Sequence, residues 1–321
     1  MMTDVDTRTP EDLTKAARMY FLDGRTQDDI ARVLGTSRSN VSRMLSAARS
    51  LGIVEIRVQD ELGRDAELEQ SLREHFGLAH VRVAAFRPHA DAVAAAATLA
   101  AEWLEDRLRD GQVLGLSWGL SLQAVVSAVS VDGPRRLEVV PLMGGLPTVN
   151  SAVAGQELVR ELAGRLGGTY RHMQGPALLR SKNARDALCA EPSIAQVLAR
   201  ARSADIALVG IGTMGVGSSV QVLEALALTP AQHEAFMAAH PVGDTCCRFF
   251  DAQGRSVRGP ADDRVLAVDL DDLRAIPTVI GVATGWEKTA GVLGALRGGL
   301  IDGLITDAGL AHSVLTAAGR L

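Results

Sequence analysis

A short stretch near the N-terminus combines residue types that bind nucleic acid. Arg38 and Arg43 could each pair bidentately with guanine, and Asn40 could pair in the same way with adenine. Hydroxyl and amide side chains commonly bond phosphate oxygens, and no acidic residue occurs from Thr36 to Leu51. The pattern therefore predicts a DNA-binding surface. Its candidate residues are Gln27, Thr36, Ser37, Arg38, Ser39, Asn40, Ser42 and Arg43.

The residues around this stretch predict the two helices that would present it. Thr26 is placed to begin one helix, which ends at Gly35, and Ser37 is placed to begin the next. Ala31 supplies the small side chain that two crossing helices need, and Gly35 tolerates the positive φ of a tight turn. The alternative is a plain helical hairpin with a solvated polar face. A plain hairpin does not require a small residue at the helix crossing, a glycine in the turn and basic residues on the next helix all together. We therefore predict a helix-turn-helix.

A second group of small and hydroxyl residues follows a predicted strand at residues 113–117. Ser117, Gly119 and Ser121 would lie between the end of that strand and the start of a helix. Free backbone N–H groups and the helix dipole at such a place favour an anion, typically a phosphate. Glycine and serine also form ordinary turns, so these residues alone leave both interpretations open.

A glycine-rich run at residues 210–215 has the formal spacing of a dinucleotide-binding loop, GxGxxG. It lies two-thirds of the way along the chain. No strand ending in an acidic residue follows at about 20 residues, where the partner of the ribose should be. We therefore predict no nucleotide cofactor and interpret Gly212 as a point of close backbone approach in a binding cleft.

Charged residues at the ends of later strands are further candidates for a ligand site. Lys288 begins a helix just after the predicted strand at residues 278–283, where it could pair with a phosphate as a point charge or be an ordinary solvated lysine. Asp251 closes the predicted strand at residues 245–250. It could accept sugar hydroxyls or serve only the turn Asp-Ala-Gln-Gly. Asp307 is a further candidate of the same kind.

Short apolar strands alternate with helical segments from His80 onward. The predicted fold class is α/β: an N-terminal helix-turn-helix domain and a Rossmann-like, mostly parallel sheet with helices on both faces. Ligands in such sheets usually bind at the carboxyl ends of the strands. The predicted domains are 1–58 (helix-turn-helix), 59–78 (linker helix) and 79–321 (effector binding and oligomerisation). Other predicted elements are strands at residues 53–58, 170–173, 256–258 and 265–270 and one helix at residues 184–202.

Length and composition limit the class of protein. A chain of 321 residues is expected to form two domains. A net charge of -5 excludes a chain that is basic throughout, but not a local DNA-binding surface. The N-terminus lacks the apolar core of a signal peptide, and the alanine-rich run at residues 92–101 is too short to span a membrane. We therefore expect a cytoplasmic protein with no membrane partner.

The sequence contains no pattern typical of a metal or catalytic centre. Cys189, Cys246 and Cys247 form neither a disulfide framework nor a metal-binding pair. The last two are predicted to lie in a strand and to point to opposite faces, one into the core and one to the surface. The seven histidines lack the spacing HExxH, and no GxSxG elbow occurs. We predict no metal, no cofactor and no catalytic residues.

Several ordered motifs resemble the SorC family of sugar-responsive bacterial regulators. One is the helix-turn-helix run YFLDGRTQDDIARVLGTSRSNVSRMLSAARSLGIVEIRV. The others are LGLSWGLSL at 114–122, VVPLMGG at 139–145, DIALVGIG at 205–212, VGDTCCRFFDAQG at 242–254 and IPTVIGVATGWEKTAGVLGALRGGLIDGLITDAGLA at 276–311. The resemblance covers nearly the whole chain.

This resemblance implies a site for a sugar or a sugar phosphate. The loop at residues 117–121 matches the family's phosphate-binding loop, although Leu120 replaces a residue that is often polar or basic. The family also places ligand contacts in the loop after residue 142, and its ligand-binding lysine matches Lys288. The predicted effector-binding residues are Ser117, Gly119, Leu120, Ser121, Gly144, Gly145, Asn150, Gly212, Asp251 and Lys288.

Together these features predict a transcriptional regulator whose affinity for operator DNA is controlled by a carbohydrate. Symmetric regulators bind paired half-sites, so we expect at least a homodimer on a palindromic operator, and the family implies tetramers. The alternative is a sugar-phosphate isomerase or deaminase with an appended helix-turn-helix. Such an enzyme needs a converging acid and base, for which His172 and Asp251 are the imaginable pair.

Overall fold

In the computed structural model of the chain, residues 38–43 of the polar stretch form the first part of the third of three short helices. The structure describes residues 9–21, 23–51, 53–54, 63–88, 90–130, 133–146 and 155–319. The chain divides into two compact units, an N-terminal unit of residues 1–58 and a larger unit of residues 59–321. Each unit has its own apolar core.

Local capping residues set the ends of the helices in the N-terminal unit. These helices are α1 (Pro10–Phe21), α2 (Gln27–Leu34) and α3 (Arg38–Ser50). The Thr26 hydroxyl accepts the N–H of Asp29 at the start of α2, and the Ser37 hydroxyl accepts that of Asn40 at the start of α3. Gly35 ends α2 in the left-handed conformation, with φ of 61°. The predicted helix-turn-helix is therefore confirmed. Its core consists of Leu13, Ala16, Ala17, Ile30, Ala31, Val41, Met44, Leu45 and Ala48.

The larger unit is built on a parallel sheet. The strands in its described part are β1 (His80–Ala84), β2 (Val113–Leu116), β3 (Glu138–Pro141), β4 (Thr169–Tyr170), β5 (Ile206–Gly210), β6 (Gly212–Thr213), β7 (Gly243–Thr245), β8 (Arg248–Phe250), β9 (Val279–Val282) and β10 (Gly303–Asp307). Seven of them form one sheet in the order β1-β10-β9-β5-β2-β3-β4. All its neighbouring strands run parallel, which confirms the predicted fold class.

Helices cover both faces of this sheet. They are α4 (Ala66–Phe76), α5 (Ala92–Arg107), α6 (Leu120–Ala128), α7 (Gly155–Leu166), α8 (Lys182–Ala190), α9 (Pro192–Arg202), α10 (Ser218–Leu226), α11 (Pro230–Ala238), α12 (Leu270–Ala275), α13 (Thr289–Arg297) and α14 (Ala308–Ala317). In β5, Ile206 and Leu208 pack with α5, α6 and α7, whereas Ala207 and Val209 belong to the core that includes α13 and α14. Within the described ranges, no helix is both long and apolar enough to cross a membrane.

A second, antiparallel sheet is formed by β6, β7 and β8. The single strand predicted at residues 245–250 is wrong, because a tight turn at Cys246 and Cys247 separates β7 from β8. Both cysteines have left-handed backbone, with φ of 50° and 58°. Their side chains are 5% and 2% exposed. The expectation of one surface thiol is therefore also wrong, because a turn does not alternate side chains between two faces.

Other predicted elements are shorter than expected or interrupted. The helix predicted at residues 184–202 is two helices, because Pro192 lacks the N–H that would continue α8 and instead begins α9. The strands predicted at residues 256–258 and 265–270 are reduced to isolated bridges, and the chain is helical from Leu270. Of the strand predicted at 170–173, only Tyr170 lies in β4. Residues 55–58 of the strand predicted at 53–58 lie outside the described residues.

Helix α4 packs on β1 and α14 within the larger unit, although the sequence suggested a connecting helix there. Its Glu69 side chain is only 1% exposed and accepts hydrogen bonds from Arg64, Arg73 and the N–H of Val83. Burial opposes ionisation of this carboxyl, but the bonds from Arg64, Val83 and Arg73 outweigh burial and hold the pKa of Glu69 below its ordinary value. This ionic cluster fastens α4 to the edge strand.

Candidate ligand-binding site and nucleic-acid interface

The loops that leave β2 and β5 diverge at the carboxyl edge of the parallel sheet. The two strands are neighbours, but the chain goes from β2 to β3 on one side, whereas the partner of β5 on the other side is β9. In open α/β sheets, such a switch point leaves a crevice in which ligands bind. A cavity of about 360 Å³ lies there.

The cavity is lined by residues that follow several strands. They are Trp118–Ser121 after β2, Met143 after β3, Gly210–Gly212 after β5, and Thr284, Gly285, Glu287 and Lys288 after β9, together with Asp91–Val93, Val216–Ser218, Val222, Asp244, Cys246 and Cys247. Five residues predicted from the sequence are thus brought together: Gly119, Leu120, Ser121, Gly212 and Lys288. Their role in binding stays a prediction.

Two helices, α6 and α10, begin at the cavity without a side-chain cap; α13 is also uncapped, but its first N–H is already bonded to the Trp286 carbonyl of the preceding 3-10 turn. Gly119 precedes α6 and Gly217 precedes α10, and neither helix has a side-chain oxygen bonded to its first N–H groups. Side-chain oxygens do cap α2, α3, α4, α5, α8, α11, α12 and α14. The uncapped N–H groups of α6 and α10 are therefore available to a ligand, and the helix dipoles favour an anion at these positions.

Asp244 is a buried carboxyl group in the cavity wall, and sequence reasoning missed it. Its side chain is 7% exposed, and its Oδ1 accepts a 2.5 Å hydrogen bond from the Ser219 hydroxyl. Burial raises the pKa of Asp244 to about 6, against the opposing effects of the Ser219 bond and the Lys288 charge. A Cβ atom on Gly212 would lie 2.2 Å from both Asp244 Oδ1 and Ser219 Oγ. The lack of a side chain at Gly212 therefore makes room for this pair, and its role in ligand binding stays a prediction.

Lys288 is the only basic side chain among the described residues that line the cavity. It is the last residue of a single 3-10 turn (Trp286–Lys288) and directly precedes α13. Burial lowers the pKa of Lys288, and the charges of Glu287, Asp244 and Asp307 oppose this effect. The ammonium group makes no ion pair within 4 Å in the described part of the chain, so it is available to a bound anion.

Asp307 supports the loop that carries Lys288. One carboxylate oxygen accepts the N–H of Gly285 at 2.7 Å, and the other accepts the N–H of Leu310 and so caps α14. Ser117 has a comparable role between β2 and β5, because its hydroxyl accepts the N–H of Gly210 at 3.1 Å while its side chain is buried. Both residues position the cavity loops, and neither lines the cavity.

Two other predicted residues, Gly144 and Gly145, do not line the cavity. The Gly144 N–H bonds the carbonyl of Leu266, and the Gly145 N–H bonds that of Gly175. A Cβ on Gly144 would lie 2.6 Å from the Gly175 oxygen, so this glycine allows two loops to pack closely, and only the preceding Met143 faces the cavity. A further predicted residue, Asn150, lies outside the described residues.

Asp251 must be corrected from a ligand-binding candidate to a turn residue. Its carboxylate accepts the N–H groups of Gln253 and Arg255 and pairs with the Arg255 side chain at 2.8 Å. The carboxylate is therefore hydrogen-bonded within its own turn, and Asp251 does not line the cavity. Neither does His172, so the acid and base imagined for an enzyme are not assembled there. No cluster suited to a metal ion occurs among the described residues.

Most of the candidate DNA-binding residues lie on α3 or in the turn that precedes it, whereas Gln27 is the first residue of α2. Arg38, Ser39, Ser42 and Arg43 are exposed, as is the N-cap Ser37, while Gln27, Thr36 and Asn40 are partly buried. Within the described residues, Arg38 and Arg43 have no ion-pair partner. The Asn40 amide instead donates to the Thr36 hydroxyl at 2.9 Å. The structure thus keeps the two arginines free and ties Asn40 to the turn.

Comparison with known proteins places these features in context. A family model described as a sugar-binding domain matches residues 60–316. The chain is 31% identical over 314 residues to the sorbitol operon regulator of Klebsiella pneumoniae, covering 94% of this chain and 97% of that relative. It is 29% identical over 304 residues to the deoxyribonucleoside regulator of Bacillus subtilis (strain 168), covering 94% and 96%. The crystal structure of full-length sorbitol operon regulator SorC from Klebsiella pneumoniae matches with a TM-score of 0.74 at 29% identity, covering 97% of this chain and 100% of that chain.

Proposed function

Because this chain belongs to the SorC family of transcriptional regulators with a sugar-binding domain, we propose that a carbohydrate effector controls its affinity for operator DNA. In this proposal residues 1–58 bind the operator, residues 59–78 link the two functions, and residues 79–321 bind the effector and form the oligomer. The observation that carries the proposal is the cavity at the switch point, where two uncapped helix N-termini and the unpaired Lys288 meet a buried carboxyl group.

The effector we propose is a sugar phosphate. Its phosphate would accept the free N–H groups at the start of α6, near Ser121, with Lys288 as the cationic partner. Asp244 and Ser218 supply polar atoms for sugar hydroxyls. A volume of about 360 Å³ lies within the usual range for small-molecule sites.

Control of DNA binding requires two arrangements of the protein that bind the effector with different affinity. The effector then shifts the balance between the arrangements by that difference in affinity. We propose a cytoplasmic homodimer or homotetramer on a palindromic operator, because paired half-sites match the two-fold symmetry of the protein.

Replacement of Lys288 by alanine tests the proposed effector chemistry. A thermal-shift screen of the wild-type protein against phosphorylated and unphosphorylated sugars and polyols identifies the effector. We expect Lys288→Ala to weaken binding of a phosphorylated effector by tenfold or more in calorimetric titration, because a charge-assisted hydrogen bond contributes about 1.5–3 kcal/mol. Lys182→Ala is the matched control, since this exposed lysine pairs with Asp186 on α8, outside the cavity. Equal effector affinity in wild type and Lys288→Ala would exclude Lys288 as the anion partner.

A further inference from the structure

We propose that the two free arginines of α3 have different roles on the operator: Arg43 reads a guanine in the major groove of each half-site, and Arg38 contacts a backbone phosphate. This inference rests on the proposed DNA-binding function. It goes beyond that function because it assigns sequence specificity mainly to one residue.

The helical positions of α3 separate the two arginines. Successive residues of an α-helix are rotated by about 100°. The buried residues Val41, Met44, Leu45 and Ala48 define the inward direction. Arg43 then lies within about 30° of the outward direction, whereas Arg38 lies about 110° away from it, on the flank of the helix. When the outer face of α3 enters the groove, Arg43 points at the base edges and Arg38 at the groove wall, which is formed by phosphates.

The other residues on the outward face are serines. Ser39, Ser46 and Ser50 lie within about 30° of the outward direction, and all three are exposed. The hydroxyls of Ser46 and Ser50 donate to the carbonyls of Ser42 and Ser46 in the preceding turn, which keeps these side chains close to the helix. Short side chains on this face let α3 approach the bases closely. Arg43 is then the only long side chain directed at the floor of the groove.

Two longer polar side chains of α3, Asn40 and Arg49, have contacts within the N-terminal unit. Asn40, the candidate for adenine, donates its amide to Thr36. The Arg49 guanidinium lies over the Phe21 ring, 5.6 Å from its centroid. Asn40 is thus a residue that positions the turn, and Arg49 packs against α1. These contacts leave Arg43 as the residue best placed to form a bidentate pair with a guanine.

The test uses the full-length protein and duplexes selected from a random DNA library. Each base pair of the selected half-site is then changed singly, and guanines are replaced singly by 7-deazaguanine, which lacks the N7 acceptor. In fluorescence anisotropy, we expect 7-deazaguanine at one position to weaken wild-type binding about tenfold to a hundredfold, with no further loss in Arg43→Ala. We expect Arg38→Ala to weaken binding equally to all duplexes and to reduce the slope of log K against log salt by about one.

Three outcomes would overturn the assignment. They are an equal loss for all duplexes in Arg43→Ala, an altered base preference in Arg38→Ala, and a 7-deazaguanine penalty that persists in Arg43→Ala. A wild-type protein that selects no sequence and binds no duplex at low salt would instead contradict the proposed function itself. Arg38 and Arg43 are exposed and have no ion-pair partner among the described residues, so we expect both variants to fold, with circular dichroism and thermal unfolding like those of the wild type.

Discussion

Arg248→Ala is expected to lower the free energy of unfolding of the larger unit by about 3–5 kcal/mol, the cost of leaving one partner of a buried ion pair alone. The Arg248 side chain is 5% exposed and donates to both the carboxylate and the carbonyl of Asp262, at 2.9 and 2.7 Å. It also donates to the carbonyls of Val265, Ala267 and Val268. Removal of the guanidinium takes a donor from these carbonyls and leaves the buried Asp262 carboxylate with only Arg258, 3.9 Å away, as an ion-pair partner among the described residues. Urea unfolding followed by circular dichroism measures the loss.

The segment that Arg248 binds also contacts other loops of the larger unit. The segment at residues 262–268 bonds Leu142, Gly144 and Ala177 through its backbone. Arg255→Ala is the matched control, because Arg255 also pairs with one aspartate at 2.8 Å but is 76% exposed at its side chain. An exposed pair contributes about 0–1 kcal/mol. Equal losses of unfolding free energy in Arg248→Ala and Arg255→Ala would show that the buried interactions of Arg248 stabilise this unit no more than an exposed ion pair does.

Asp244→Asn is expected to make the protein more stable at pH 7.5. The pKa of Asp244 is raised from 3.8 to about 6, so between about pH 4 and pH 6 the folded state holds a proton on this group that the unfolded chain has already lost. Above pH 6 the folded state must bury the charged carboxylate. The stabilising effect of this proton is fully present below about pH 4 and is lost as the pH rises through about 6. Two pKa units correspond to about 3 kcal/mol. Asparagine keeps the acceptor for Ser219 but does not titrate.

The measurement is the free energy of unfolding of wild type and Asp244→Asn from pH 4 to pH 7.5. The two curves should meet near pH 4 and separate as the pH rises, with Asp244→Asn more stable by about 3 kcal/mol at the upper end. Asp251→Asn provides a control without pH dependence in this range. Burial raises the pKa of Asp251, but bonds from Arg255 and Gln253 outweigh it and lower the pKa below 3.8, so the contribution of this carboxylate to stability is lost only below about pH 4. The curves of wild type and Asp251→Asn should therefore run parallel from pH 4 to pH 7.5. Parallel curves for wild type and Asp244→Asn would contradict the raised pKa.

Features with local causes were predictable from the sequence. The turn between α2 and α3 follows from Gly35 and the cap Ser37, which act within a few residues of their own position. Alternation of strands and helices predicted the parallel sheet, and with it the edge at which Gly119 and Lys288 meet.

Features that depend on distant partners were not predictable. Ser219 and Asp244 are 25 positions apart and form their pair only after α10 packs on the small sheet. Asp251 resembled a strand-end ligand, but its own turn uses the carboxylate. The hairpin at Cys246 and Cys247 was hidden because two adjacent apolar residues with left-handed backbone have the same apolar pattern as a buried strand.

The operator affinity measured with and without effector tests the central claim most directly. A titration of the full-length protein with the selected duplex, at one fixed salt concentration, gives the dissociation constant in the absence of effector and at saturation. We predict a change of about fivefold or more, and, by linkage, the same factor in effector affinity when DNA is bound. Identical operator affinities with and without a demonstrably bound effector would contradict the account.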